Sequence, residues 1–461
     1  MAVLPSNVSF FMQRLQGVST SHFKINPQSN DSAVANRILR FELPSNSLVN
    51  LRSLRMVFNA NADQTAAAGG RLPNGIYKCI ERVAIYMGGQ LVQNNFQSYN
   101  LYQTAKEAME GTSKCDSVTG HPEIVRKKSY HDGSAYTTTA NEKYNDIDDQ
   151  FAIDHWESFL GTVQPSTLDL GILPQVTIEI TLAEDAVCSS CAGPELHGTA
   201  GNPDTSLTTM NASARASYKF ENISMQVEVL GLATSVLDQI TEQRIASVGY
   251  LSLPFKNIFT FVSTHAGTSR FSVNSASWDR VWMVYRPTTY ADKAGAHVIP
   301  GYKAAGLVVD GNDIGLPQYD IGGVLGTNAE KYTSAYFRMK EPLANANVPA
   351  TYQLQINGAT VPAYRVNRSE MYAITKNSVE AHHPSHTMTM NQYVDSYFVQ
   401  CMRFCLDDSE QSRLASGLDT RSVSAQAALE STGLDSCNLT IFAECTSELR
   451  VGSGRAIEVI S

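Results

Sequence analysis

Apolar and polar side chains alternate with a period of two through much of the chain. Leu39, Phe41 and Leu43 alternate with Arg40 and Glu42, and Pro44, Ser45 and Asn46 end the run. Leu54, Met56 and Phe58 alternate around Arg55, and Val83, Ile85 and Met87 lead up to Gly88 and Gly89. Val176, Ile178, Ile180 and Leu182 alternate with Thr177, Glu179 and Thr181. Ile223, Met225, Val227 and Val229 alternate with Ser224, Gln226 and Glu228. Such alternation predicts strands with one buried and one wetter face. Many short strands parted by Gly, Pro, Asn and Ser clusters predict an all-β sandwich or barrel.

Helical signals are few. Leu101, Ala105 and Ala108 recur at helical spacing and Gly111 follows as a stop. Ser235 and Asp238 resemble a capping box, predicting a helix over 235–247. Short helices are also predicted over 151–160, which holds Phe151, Trp156, Phe159 and Leu160, and over 422–430. Three stretches, 111–150, 188–217 and 287–350, read as long loops of the kind that form functional surfaces.

Beneath the alternation lies an internal repeat. Residues 41–48 (FELPSNSL) match 271–278 (FSVNSASW), and Met56, Val57 and Phe58 match Met283, Val284 and Tyr285. Residues 85–92 (IYMGGQLV) match 354–361 (LQINGATV): each is a strand, a tight Gly-Gly or Asn-Gly turn, and a second strand. Tyr102 to Lys106 then matches Tyr372 to Lys376. The blocks keep their order, so two similar β-domains are expected, residues 1–234 and 235–461. Each is long enough for its own core. From Phe58 to Gly89 is 31 positions, but from Tyr285 to Gly358 is 73, so the second half carries about 42 more there.

Composition narrows the task. Of 461 residues only 17% are charged, against roughly 25% in ordinary domains, which suggests surface covered by something other than water. With 35 basic and 44 acidic residues the net charge is −9. A protein that wraps nucleic acid needs a basic face, so no direct nucleic-acid binding is expected. No apolar run is long enough for a membrane-spanning helix, and the opening MAVLPS lacks the regions of a signal peptide. The eight cysteines (79, 115, 188, 191, 401, 405, 437 and 445) are scattered, and Cys188 and Cys191 form a lone C-x-x-C, so free thiols are expected.

Val83–Gln90 (VAIYMGGQ), the upstream Phe41–Pro44 (FELP) with Leu48, Leu51 and Leu54, and the late Ser416–Thr420 (SGLDT) carry a family likeness. They resemble the double jelly-roll major capsid proteins of virophages, polinton-like viruses and large nucleocytoplasmic DNA viruses. That resemblance implies an all-β chain of two tandem eight-stranded jelly rolls, with a few short helices and long loops. It further implies homotrimeric, pseudo-hexameric capsomers tiling an icosahedral virion shell. Neighbouring capsomers, penton and minor capsid proteins, and an internal membrane are the implied partners. Residues 287–350 are the first candidate for an outward tower.

The alternatives are a cellular carbohydrate- or ligand-binding protein of two jelly rolls and a two-domain metal enzyme of the cupin type. A cupin needs an H-x-H pair with a nearby Glu and a later His, and the sequence has no H-x-H. His382, His383 and His386 cluster in a short breaker-containing segment and read as a surface loop. Asn145 to Asp149 is acidic but lacks the Gly and Glu of a calcium loop. No P-loop, G-x-S-x-G or G-x-G-x-x-G occurs. No catalytic, cofactor-binding or metal-binding residue is therefore expected, and no enzyme activity.

Phe10, Phe11 and Leu15, with Met12 and Arg14, predict an amphipathic arm over about 1–20 that clasps a neighbour or faces an inner membrane. Six N-x-S/T sequons, at Asn7, Asn30, Asn211, Asn222, Asn367 and Asn438, are near the number expected by chance.

Overall fold

The computed structural model describes residues 19–63, 68–71, 73, 75–93, 96–110, 151–192, 217–231, 243, 245–286, 288, 290, 335–337, 339–344, 349–379, 390, 393–394, 397–406, 416–421 and 426–461. The first half contributes β1 (Ser19–Ile25), β2 (Ala33–Val34), β3 (Ile38–Glu42), β4 (Leu48–Asp63), β5 (Ala68–Arg71), β6 (Ile80–Met87) and β7 (Gln90–Gln93). Helix α1 (Tyr99–Glu110), β8 (Phe151–Ile153), α2 (Phe159–Thr162), β9 (Thr167–Asp169), β10 (Val176–Leu182), β11 (Ser189–Ala192) and β12 (Ser217–Gly231) follow. The second half holds β13 (Tyr250–His265), β14 (Thr268–Ser272), β15 (Trp278–Arg286), β16 (Thr351–Ile356), β17 (Ala359–Asn367), α3 (Arg368–Ser378), β18 (Val399–Arg403), β19 (Gln426–Thr432), β20 (Cys437–Gly452) and β21 (Ile457–Ile460).

Antiparallel pairing sorts these strands into two copies of one plan. In the first, one sheet runs β1-β12-β4-β8, with β2 and β9 at its margins, and the other runs β3-β10-β6-β7. In the second, the orders are β13-β20-β15-β18, with β21 beside β20, and β14-β19-β16-β17. Each copy is thus an eight-stranded jelly roll of two four-stranded sheets. Alternation supplies the reason: β10 buries Val176, Ile178, Ile180 and Leu182 and turns its threonines and Glu179 outward. In the first copy these meet Met56, Phe58, Phe220 and Met225 of the facing sheet, with Phe58 and Phe220 stacked at 4.1 Å.

The repeated sequence blocks fall at the same topological places. Phe41 and Phe271 sit in β3 and β14, while Met56 and Met283 sit in β4 and β15. The β6–β7 and β16–β17 hairpins turn on Gly88 and Gly89 (φ 57° and 84°) and on Asn357 and Gly358 (φ 52° and 80°). Two consecutive positive φ values are what a tight hairpin following strand twist needs.

Two expectations are corrected. Residues 151–160 are not one helix: Phe151–Ile153 pair with Phe58–Met56 as β8, and only Phe159–Thr162 are helical. Residues 426–432 are strand β19, not helix, because β19 pairs with both β14 and β16 and buries Ala427 and Leu429 between them. The local helix preference of Ala, Leu and Glu gives way to that pairing.

Several expectations fall outside the described residues: the arm before residue 19, the loop 111–150 with Asn145 to Asp149, the capping-box residues Ser235 and Asp238, and His382, His383 and His386. Of the 235–247 helix, residues 243 and 245–247 are described, and they are helical. Of the candidate tower, residues 291–334 lie outside. Tyr336, Phe337 and Met339 return to the body as buried residues. Six described cysteines, at 79, 188, 401, 405, 437 and 445, are buried. Among the described residues no helix is long and apolar enough to cross a membrane.

Candidate assembly surface: the joint between the sandwiches

The two jelly rolls meet where α1 and the segment around α2 lie against the outer face and edge of the sheet β13-β20-β15-β18. Helix α1 is buried nearly all round. Its Tyr102 projects onto the second sandwich, where the ring meets Phe442 edge-on at 5.3 Å and Trp282 at 6.1 Å. The Tyr102 hydroxyl donates to the Glu444 carboxylate. The Trp282 indole N–H donates to the same oxygen at 2.8 Å, and Arg280 Nε stands 3.7 Å from the other. Burial, then the Glu444 charge, pushes the Tyr102 hydroxyl well above its ordinary pKa. It therefore stays a neutral donor.

A buried ion pair fixes α1 from behind. Lys106 Nζ lies 2.9 and 3.0 Å from the two Glu157 oxygens, and both side chains are almost wholly enclosed. The Glu157 backbone N–H donates to the Tyr99 hydroxyl at 3.2 Å. This pair ties α1 to the strand-to-helix connection that ends in α2.

That connection covers the free edge of β13. Ser158 donates through Oγ to the Lys256 carbonyl at 3.0 Å, and the Lys256 N–H donates to Thr162 Oγ1 at 2.9 Å. The Gln164 N–H donates to the Pro254 carbonyl at 3.0 Å, and Thr260 Oγ1 donates to the Gln97 carbonyl at 2.9 Å. Phe159 meets Phe255 edge-on at 5.0 Å. Backbone groups that would template another strand are thereby occupied. Gly161 lets the turn close: a Cβ there would lie 1.7 Å from the Trp156 carbonyl oxygen.

A second stitch comes from the returning 287–350 segment. Arg286 of β15 stacks on Tyr290 at 3.6 Å and on Tyr336 at 5.2 Å. Lys78 of the first sandwich stands 5.5 Å over Phe337. Burial raises the carboxyl pKa of Glu81, opposed chiefly by the Arg286 charge.

Inside the second sandwich the Ser416–Thr420 loop is held to the β14–β15 connection. Trp278 and Leu418 exchange backbone hydrogen bonds at 2.9 Å, and the Gly417 N–H donates to Ser277 Oγ at 2.8 Å. Ser277 and Thr446 both donate to Asp279, which also pairs with Lys256 Nζ at 2.8 Å. This loop is a structural tie.

Among the described residues no group of three His, Cys, Asp or Glu side chains is placed to hold a metal. Cys188 is buried, with burial raising its pKa, as befits an inert thiol. Of the sequons, Asn30 and Asn222 are exposed, while Asn367 caps α3 through its side chain. Sequence reasoning marked Tyr102 and Lys106 only as a repeat and missed their partners Glu444 and Glu157.

No protein-family model matches the chain. No curated protein matches it either. Solved structures do. The chain is similar to VP54 of PBCV-1, fitted into a reconstruction of the virophage Sputnik, with TM-score 0.57 and 12% identity, covering 97% of this chain and 98% of that one. The quasi-atomic model of the PBCV-1 virus capsid matches with TM-score 0.53 and 12% identity over 96% and 97%. The Faustovirus major capsid protein matches with TM-score 0.50 and 10% identity over 96% and 91%. The likeness covers nearly the whole chain, both sandwiches included, and the chain therefore has the double jelly-roll fold of these capsid structures.

Proposed function

We propose that the chain is a viral major capsid protein, a component of the virion whose work is assembly rather than catalysis. One observation carries the reading: similarity to capsid structures runs over nearly the whole chain, across both jelly rolls together. The low charge content supports it, since surface hidden between subunits needs few charges. A cellular ligand-binding protein built of two jelly rolls is not favoured by these likenesses.

In this reading residues 1–234 and 235–461 are the two domains, with an arm over about 1–20 that clasps a neighbour or faces an inner membrane. Three copies close into a trimer. Duplication brings that trimer near six-fold symmetry, so capsomers tile hexagonally against one another and against penton and minor capsid proteins. Interfaces of the obligate class, about 2,000–5,000 Å² each, hold the trimer. The acidic balance argues against direct contact with the genome.

Sedimentation of the purified chain tests this directly, with electron microscopy of the same material. Trimers and hexagonal capsomers are expected. A stable monomer of 50.3 kDa overturns the reading.

A further inference from the structure

The two halves place a connecting helix at the same point of the plan, α1 after β7 and α3 after β17, but clothe it differently. Both connecting helices bury a stripe at the same spacing: Leu101, Ala105 and Ala108 in α1, and Met371, Thr375 and Ser378 in α3. In α3 this stripe faces its own sandwich, because Thr375 Oγ1 bonds to the Val399 carbonyl and the Cys401 N–H. Tyr102 stands one position past the first stripe residue, and so does Tyr372. Tyr372 is half-buried with its ring 4.8 Å from that of Tyr393 in the same half, and the side of α3 turned away from its own sandwich leaves Ser369, Glu370, Ala373, Lys376 and Asn377 exposed.

The receiving face has a counterpart as well. Met56 pairs with Met225, and Met283 with Ile441, all four buried on the inner side. From that register Trp282, Phe442 and Glu444 of the second sandwich correspond to Arg55, Gln226 and Glu228 of the first. Arg55 is exposed, while Gln226 and Glu228 are half-buried. Strand β1 adds His22 and Lys24 directly opposite Glu228 and Gln226. Where Arg280 stands beside Glu444, β4 of the first sandwich bulges, and Asn50 stands opposite Glu228 and donates to its carboxylate through Nδ2 at 3.0 Å.

Resting on the trimer reading above, we propose that α3 of one copy docks on the outer β1–β12–β4 face of a second copy, with Lys376 paired to Glu228. The occupant is another copy of this chain because a helix-on-sheet contact of this kind, α1 on the β20–β15 face, already exists within it and the charges of α3 complement those of the equivalent first-sandwich face. Charge complements in the same sense. Lys376 supplies the cation that the neutral Asn50 does not, and Glu370 approaches a face carrying Lys24 and Arg55. The two joints then differ in kind. The one inside the chain is aromatic and enclosed, whereas the one between copies is polar and weakened by salt.

Charge reversal tests the pairing, read by sedimentation across a dilution and sodium chloride series. Glu228→Lys and Lys376→Glu are each expected to raise the concentration of half-dissociation by roughly tenfold or more. The double variant E228K/K376E is expected to return within about threefold of the unaltered chain. Single variants that assemble as tightly as the unaltered chain, or a double variant no better than the singles, overturn this interface while leaving the trimer standing. An unaltered chain that stays monomeric overturns both.

Discussion

The hydroxyl of Tyr102 in the first jelly roll donates to the carboxylate of Glu444 in the second, 342 positions later in sequence. That carboxylate also accepts from Trp282 and faces Arg280. Tyr102→Phe removes one donor and keeps the ring, so a loss of about 1–2 kcal/mol is expected. Tyr102→Ala also removes the ring from between Trp282 and Phe442, and about 3–5 kcal/mol is expected. Chemical unfolding measures both. If the joint couples the sandwiches, Tyr102→Ala also splits one transition into two.

The pair Lys106 and Glu157 makes a second test. Glu157→Gln leaves an ammonium enclosed without its counter-charge and is expected to cost about 3–5 kcal/mol. Replacing both together, Lys106→Met with Glu157→Leu, is expected to cost far less than either single change. A double-mutant cycle from urea unfolding reads the coupling. Single costs that simply add exclude the pair as a unit.

Gly161 permits the turn that brings Ser158 and Thr162 onto β13. Any Cβ meets the Trp156 carbonyl at 1.7 Å, so the backbone must move. Gly161→Ala is expected to destabilise by roughly 2–4 kcal/mol. Hydrogen exchange localises the damage: the Lys256 amide, which donates to Thr162, loses protection first.

His265 predicts the response to acid. Its ring is enclosed, with Nδ1 2.7 Å from Ser269 Oγ, Nε2 2.5 Å from Ser431 Oγ, and Tyr285 at its edge. Neither neighbour is a carboxylate, and burial lowers its pKa below the ordinary value. The unfolded chain then binds the proton more readily than the folded one. This group's contribution is whole above about pH 6.5 and shrinks as pH falls through that value towards the lower folded pKa. Thermal midpoints between pH 7.5 and 5 are expected to drop for the unaltered chain and to drop less for His265→Gln. Parallel curves would exclude His265 as the cause.

Strands were legible wherever one face is wet, because β4, β10 and β12 then alternate. Strand β15 was harder to read, since all nine of its residues, Trp278 to Arg286, are buried. Its charged and aromatic outward side is covered by the first sandwich, so the run has no polar stripe. Residues 426–430 misled for a different reason: their local preference is helical, and only partners on both sides make them a strand. The joint was half legible. Repetition exposed Tyr102 and Lys106, but Glu157 and Glu444 are 51 and 342 positions from them. Only the tertiary fold brings such pairs together.

The aromatic dress of the inner joint has a mechanical meaning. Two units on one chain meet at a high effective concentration, about millimolar for a short tether, and need little affinity to stay together. Trp282, Phe442 and the enclosed Tyr102 therefore do more than adhesion requires. What they add is stiffness, since interdigitated rings leave one angle between the units rather than a range. Where copies close into the proposed ring, any play at this hinge would recur in every copy, so a hard joint inside each chain would let the proposed softer joints between chains find their register.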